Sequence, residues 1–134
     1  MNRKIGIILA TYNPNFDYFQ KQINSLIHQD YPHWICYVVD DGSTAANQRL
    51  IQEVVAKDKR FHCYFYPTNV GAYRNFERGL ELCKNNSNLV WIAFSDQDDI
   101  WLSDKLSASI AQIEKERAIL VHSNLIIFDL HHQL

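Results

Sequence analysis

The stretch Ile5-Gly-Ile-Ile-Leu-Ala10 is almost wholly apolar and rich in β-branched residues. Such a run is typical of a strand that is buried on both faces of a parallel sheet. Apolar residues then recur at helical spacing from Phe16 to Ile27, and Tyr31-Pro32 ends that segment. The chain therefore begins with a strand followed by a helix, which is the repeating unit of an α/β fold.

The same alternation continues along the chain. Because tight turns cannot join parallel neighbours, it predicts a wound, mostly parallel sheet with helices on both faces. Further strands are predicted at Trp34 to Val39, Phe61 to Tyr66, Leu89 to Phe94, Ala118 to Val121 and Leu125 to Phe128. The intervening helices are marked by Leu50 to Val55, with an end near Lys59, by Tyr73 to Cys83, and by Leu102, Leu106, Ile110 and Ile113.

The composition favours one globular domain. The chain has 134 residues, of which 47% are hydrophobic, and its net charge is -2. Without a basic excess, nucleic acid is not an expected partner. The cysteines Cys36, Cys63 and Cys83 have neither metal-ligand nor disulfide spacing and are expected to be reduced core thiols. No apolar run reaches the roughly 18 residues that cross a bilayer, so we expect a cytoplasmic protein.

Polar residues collect directly after each of the first four predicted strands. Parallel strands bring their carboxyl ends to one edge of the sheet, and ligands of open α/β sheets bind at that edge. The sequence therefore predicts a single crevice that gathers these loops. They are Thr11-Tyr-Asn13, Asp40-Asp-Gly-Ser-Thr44, Asn69-Val-Gly71 and Ser95-Asp-Gln-Asp-Asp99.

Asp96 and Asp98 are separated by one residue after a buried strand. In an extended backbone their carboxylates would point the same way. Hard oxygen ligands on a loop suit Mg²⁺ or Mn²⁺, which would stabilise the charge on a departing diphosphate. A solvated acidic turn is the competing interpretation, although the apolar segments Trp91–Phe94 and Ile100-Trp101 on either side disfavour it.

The Asp40-Asp41 pair has two possible interpretations, a turn with a helix cap or a ligand-binding carboxylate. Asp, Gly and Ser favour turns and helix caps, and a cap is the role expected of Ser43 or Thr44. Two adjacent carboxylates leave one free to face the crevice, where it would accept a hydrogen bond from a base N–H or a ribose hydroxyl.

The other two loops are also open to more than one interpretation. Thr11 and Asn13 either form an ordinary turn or offer backbone to a nucleotide. Gly71 is needed for binding or only for its backbone conformation. Arg74, in the first turn of a helix, could reach a phosphate, whereas Arg78 is expected to be an exposed charge on the helix surface.

Four blocks together resemble, in order and spacing, the conserved blocks of glycosyltransferase family 2. The resemblance runs from Ile5 to about Phe128, and its last block looks most like bacterial rhamnosyltransferase-type members that build surface polysaccharides. The blocks are Ile8-Leu-Ala-Thr-Tyr-Asn13, Val38-Val-Asp-Asp-Gly-Ser43, Asn69-Val-Gly71 with Asn75, and Ser95-Asp-Gln-Asp-Asp-Ile-Trp101.

The resemblance implies a GT-A (Rossmann-like) fold in which residues 1–134 are the nucleotide-sugar-binding part, incomplete at the C-terminus. Asp98 would bind the divalent ion, Asp96 would contact the ribose or the water shell of the ion, and Arg74 would lie near the diphosphate. The nucleoside of a UDP- or dTDP-linked sugar would be held by Ala10, Thr11, Tyr12, Asn13 and Asp41.

Members of the family invert the anomeric carbon in a single displacement, with a carboxylate from a later Glu-Asp pair as base. No such pair follows Asp98, so the resemblance implies no catalytic base here and places it beyond Leu134. We therefore expect the chain to bind nucleotide weakly with a metal and to transfer no sugar to a saccharide or lipid-linked acceptor. A full-length form could associate peripherally with the inner face of the membrane, and this part alone could self-associate through an apolar face.

Two alternatives remain. A sugar-nucleotidyltransferase would carry a glycine-rich, basic phosphate loop after the first strand, which Ala10-Thr-Tyr-Asn13 lacks. The second alternative is a nucleotide-binding or assembly module without transferase activity. A nucleoside diphosphate that binds only with metal would favour the transferase, and no nucleotide binding at all would favour the assembly role.

Overall fold

The computed structural model describes residues 3–123, in which strands and helices alternate. The strands are β1 (Lys4–Thr11), β2 (Trp34–Asp40), β3 (Phe61–Phe65) and β4 (Leu89–Ser95). The helices are α1 (Phe16–Ile27), α2 (Ala45–Val55), α3 (Ala72–Lys84) and α4 (Lys105–Glu116). The predicted α/β class is confirmed.

The sheet is parallel and has the strand order β3-β2-β1-β4. Strand β1 pairs with β2, where Thr11 lies opposite Asp40, and with β4, where Leu9 lies opposite Ser95. The chain moves outward from β1 to β3 and then returns to the other side of β1. The strand order therefore reverses between β1 and β4, and a ligand crevice is expected beyond the carboxyl ends of these two strands.

Both faces of the sheet are covered at β1, which explains why this strand is apolar at almost every position. Strand β4 is not buried as predicted, because Val90, Ile92 and Phe94 leave one of its faces exposed. Ile5, Ile7 and Leu9 point to the face covered by α1, α2 and α4. Ile8 points to the opposite face, where α3 packs. The predicted placement of helices on both faces is confirmed.

Helix α3 packs directly against β1 at Gly79, where there is no room for a larger side chain. A Cβ atom at Gly79 would lie 2.3 Å from Cγ2 of Ile8. One turn earlier, the buried Asn75 side chain donates a hydrogen bond from Nδ2 to the carbonyl oxygen of Val39 (2.8 Å). These contacts fix the amino end of α3 at the carboxyl edge of the sheet.

Two predicted helix boundaries were wrong. Helix α2 ends at Val55 rather than near Lys59, because the chain turns there and the N–H of Asp58 bonds to the Val55 carbonyl. Leu102 is 71% exposed and precedes α4, which begins at Lys105.

The strand predicted at Ala118 to Val121 is not formed. Arg117 ends α4 in the left-handed conformation (φ 50°), and the Ile119 side chain that follows is fully exposed, without the burial that favours an apolar strand. The strand predicted at Leu125 to Phe128 lies outside the described residues.

The cysteines are free thiols, as predicted, and Cys36 and Cys83 are buried. Burial, together with the negative charge of Asp40, raises the pKa of Cys63 to about 11, so that thiol stays protonated at neutral pH. Among residues 3–123, no helix has the length and apolarity needed to cross a membrane.

The contact between α3 and β1 gives a test of the packing. Helix propensity alone predicts that Gly79→Ala stabilises the protein by about 1 kcal/mol. We expect the opposite, a loss of about 1–3 kcal/mol in the free energy of unfolding, because the new methyl group overlaps Ile8. Urea denaturation measures the difference. Glu77→Ala, at an exposed position of the same helix, is the control, and a Gly79→Ala protein as stable as that control would contradict the packing.

Candidate functional site

The loop after β1 lies at the carboxyl edge of the sheet, as predicted. Ala10 and Thr11 are still part of β1, and Thr11 is buried. The Tyr12 side chain is 49% exposed and open to a ligand. Asn13 takes a positive φ of 38°, and its Oδ1 accepts a hydrogen bond from the backbone N–H of Thr44 (3.0 Å).

Hydrogen bonds join this loop to the loops after β2 and β4. The backbone N–H of Tyr12 donates to Oε1 of Gln97 (2.8 Å), and Nε2 of Gln97 donates back to the Tyr12 carbonyl (3.3 Å). The backbone N–H of Asn13 donates to Oγ of Ser43 (2.8 Å). The three loops therefore form one continuous rim.

Asp40 is completely buried and holds this rim together from below. Its Oδ1 accepts hydrogen bonds from the hydroxyls of Thr11 (2.7 Å) and Ser43 (2.6 Å). Its Oδ2 accepts the backbone N–H of Ser43 (2.8 Å). With these partners and no exposure, Asp40 has a structural role, while Thr44 caps α2 by accepting the N–H of Asn47.

Asp41 connects the rim to the loop after β3. Its Oδ1 accepts the backbone N–H of Val70 (2.8 Å) and Nη1 of Arg78 (3.0 Å), and its Oδ2 accepts the N–H of Gly71 (3.0 Å). A carboxylate offers about four acceptor positions, so one on Oδ2 has no hydrogen-bond partner among the described residues. Gly71 has a φ of 88°, a conformation that favours glycine. All four polar loops therefore meet at one edge.

Arg78 is a component of this network, so the expectation of an exposed surface charge was wrong. Only 18% of its side chain is exposed. Besides the ion pair with Asp41, its Nη2 donates to the Thr68 carbonyl (2.8 Å), and its guanidinium lies 4.3 Å from the centre of the Tyr66 ring. Arg74, one turn earlier, is exposed on the outer surface of α3, and its proposed contact with phosphate stays a prediction.

The acidic turn after β4, residues 96–100, does not have the extended backbone that was predicted for Asp96 and Asp98. Strand β4 ends at Ser95, and Gln97 and Asp98 lie in a turn, so the argument from an extended strand was wrong for Asp96 and Asp98. Both carboxylates are exposed. Burial raises the pKa of the neighbouring Asp99, and the negative charges of Asp96 and Asp98 raise it further. The turn therefore concentrates negative charge that a cation would stabilise.

The donor set of this turn fits a partial metal site. Within residues 3–123, no group of three or more His, Cys, Asp or Glu side chains is arranged to hold an ion alone. Mg²⁺ and Mn²⁺ typically need only one or two carboxylates when substrate phosphate and water complete the shell. The exposed oxygens of Asp96 and Asp98 meet that lower requirement.

Two glutamines of the site escaped the sequence analysis. Gln97 bonds to the Tyr12 backbone as described, and no sequence pattern marks that contact. Gln22 of α1 is fully buried and donates from Nε2 to Oγ of Ser95, directly before the acidic turn (2.5 Å). The available signal was the spacing of Gln22, Ser25 and Gln29, which follows the buried side of α1 and continues past its end.

Comparisons with known proteins agree on one family. The protein-family model for Glycosyl transferase family 2 matches residues 6–131 of this chain. An uncharacterized glycosyltransferase of Haemophilus influenzae is 32% identical over 126 residues, covering 94% of this chain and 48% of that protein. The putative teichuronic acid biosynthesis glycosyltransferase TuaG of Bacillus subtilis is 31% identical over 106 residues, covering 79% of this chain and 40% of that protein. The chain thus spans less than half the length of these relatives.

Among solved structures, S. aureus TarS 1-349 in complex with UDP-GlcNAc has the same fold. It matches with a TM-score of 0.71 and 26% sequence identity, covering 85% of this chain and 32% of that one. The GT-A architecture expected from the sequence is therefore confirmed.

The Arg78 network predicts a large difference between two arginines of one helix. Arg78→Met should lower the free energy of unfolding by about 3 kcal/mol, because it leaves the buried Asp41 carboxylate without its cation. Arg74→Met, the same change at an exposed position, should leave stability nearly unchanged. Urea denaturation of both variants measures this, and equal stabilities would contradict the network.

Proposed function

The chain belongs to glycosyl transferase family 2, and we propose that it binds the nucleoside diphosphate sugar in an inverting transfer to a saccharide or lipid-linked acceptor. The observation that carries the proposal is the rim itself. Loops from four parallel strands are hydrogen-bonded to one another beside the point where the strand order reverses, with a partly satisfied carboxylate at one end and an acidic turn at the other.

The nucleoside is proposed to lie along Ala10 to Asn13, with a base N–H donating to the remaining acceptor position of Asp41. The exposed Tyr12 ring offers an apolar surface for the base. Uridine is the base favoured here, because the similar TarS structure is a complex with UDP-GlcNAc. The Gln97 contact with Tyr12 would keep the nucleoside loop in register with the acidic turn.

Mg²⁺ or Mn²⁺ is proposed to be held by Asp98, with Asp96 contacting the ribose or the metal's water shell. Bound there, the cation would neutralise charge that develops on the diphosphate as the sugar leaves. Arg74 is exposed near the amino end of α3 and is proposed to add positive charge toward the same phosphates.

The wider role is proposed to be bacterial surface polysaccharide synthesis, which is supported by the similarity to TuaG. The catalytic base is proposed to lie outside this chain, since no Glu-Asp pair follows Asp98. The 134-residue chain is accordingly proposed to bind donor without transferring sugar, and acceptor glycosylation by the purified chain would refute that part of the proposal.

Calorimetric titration with UDP in the presence and absence of Mn²⁺ tests donor binding. We expect calorimetry to detect UDP binding only with Mn²⁺, because binding of the nucleoside alone is too weak for that method. Asp98→Asn should weaken that binding at least about 10-fold, because it removes a charged oxygen ligand. A parallel titration with dTDP tests the choice of base.

Asp104→Asn is the matched control. Asp104 is an exposed acid shortly after the turn. It directly precedes α4, and its side chain does not form a capping hydrogen bond with that helix. Equal losses in the two variants would indicate a general charge effect and contradict the assigned metal ligand. Absence of nucleotide binding in the unsubstituted protein would instead favour an assembly module.

A further inference from the structure

Helix α1 carries a polar stripe on a side that is otherwise part of the core. We call Gln22, Ser25 and Gln29 the polar stripe; the first two lie on one side of α1. Gln29 follows two residues after the end of the helix, and its Nε2 donates back to the Ser25 carbonyl (3.2 Å). Gln22 is fully buried and Gln29 is 7% exposed. Burial of an amide costs free energy unless its hydrogen-bonding groups find partners. The partners of the polar stripe therefore indicate its role.

The first partner lies at the beginning of the acidic turn. Nε2 of Gln22 donates to Oγ of Ser95, the last residue of β4 and the neighbour of Asp96. Oε1 of Gln22 accepts a hydrogen bond from the hydroxyl of Ser25 (2.8 Å). Both ends of the buried amide are thus satisfied.

The remaining partners lie at the end of the turn and beyond it. Oγ of Ser25 accepts the backbone N–H of Trp101 (3.1 Å). Nε2 of Gln29 donates to the carbonyl of Leu102 (2.7 Å), and its Oε1 accepts the N–H of Leu106 in the first turn of α4 (3.0 Å). The polar stripe therefore holds the chain on both sides of residues 96–100.

We propose that the polar stripe positions the acidic turn for its divalent cation, so that Gln22 and Gln29 are positioning residues for metal and donor binding. The inference rests on the proposed function. Apolar side chains of similar size would fill the same volume, so packing alone does not call for buried amides. Fixing both ends of the turn lowers the entropy that Asp96 and Asp98 lose when they bind an ion, and this raises affinity.

Mn²⁺ affinity in the presence of UDP, followed by the electron paramagnetic resonance signal of free Mn²⁺, tests the proposal. Gln22→Met and Gln29→Met keep the side-chain volume and remove the amide. Each should weaken Mn²⁺ binding about 10-fold, the effect typical of residues that orient metal ligands. Gln20→Met, an exposed glutamine of the same helix, is the matched control and should change nothing.

A second readout separates positioning from general damage to the fold. Uridine has no phosphate and needs no cation, so its affinity, measured by NMR titration, should fall much less than the Mn²⁺ affinity in both variants. Ser95→Ala breaks the same link from the other side without altering α1. Combined with Gln22→Met, it should add little further loss, because both changes remove one interaction.

The possible failures are distinguishable. If the unsubstituted chain binds no Mn²⁺ with UDP, the proposed function itself fails. If it binds Mn²⁺ and the polar-stripe variants match Gln20→Met, only the role of the polar stripe fails. An equal loss of uridine and Mn²⁺ affinity would also overturn that role, because it would reflect a loosened fold rather than a displaced acidic turn.

Discussion

The site depends on two carboxylates that the chain buries side by side at the end of β2. A buried charge is costly unless partners compensate it. Asp40 finds its partners in the loops after β1 and β2, and Asp41 finds its own in the loop after β3 and in Arg78. Because these charges can be satisfied only when the loops meet, the same interactions that stabilise the fold also build the rim at which a ligand can bind.

The two ends of this rim have different electrostatics. On the β2 and β3 side, hydrogen bonds occupy nearly all the acceptor positions of the two carboxylates, and this is the side on which we propose that the neutral nucleoside lies. On the β4 side, Asp96 and Asp98 are exposed and raise the pKa of Asp99 beyond the effect of its burial. That end carries negative charge that the described residues leave largely uncompensated, which is the condition under which a cation and a diphosphate bind together. The two ends lie on either side of β1, and the loop after β1 contacts both of them, through Ser43 on one side and Gln97 on the other.

The elements that depend on the periodicity of apolar residues could be predicted from the sequence. The contacts between side chains that are distant in the sequence could not. The apolar run of β1 and the polar residues after each strand predicted the sheet and its functional edge. Arg78 was misjudged because its spacing on α3 is that of a surface charge, and only the fold brings it to Asp41. The strand predicted at Ala118 to Val121 failed because an apolar run does not show whether a neighbouring strand is available to pair with it.

The central claim is that the four loops act as one donor site. It is tested most directly by backbone amide NMR shifts of the chain on titration with UDP and Mg²⁺. If the loops form one site, the amides of Tyr12, Asp41, Gly71 and Asp98 shift together, with one shared dissociation constant. Shifts confined to a single loop, or centred on α4 away from the rim, would contradict it.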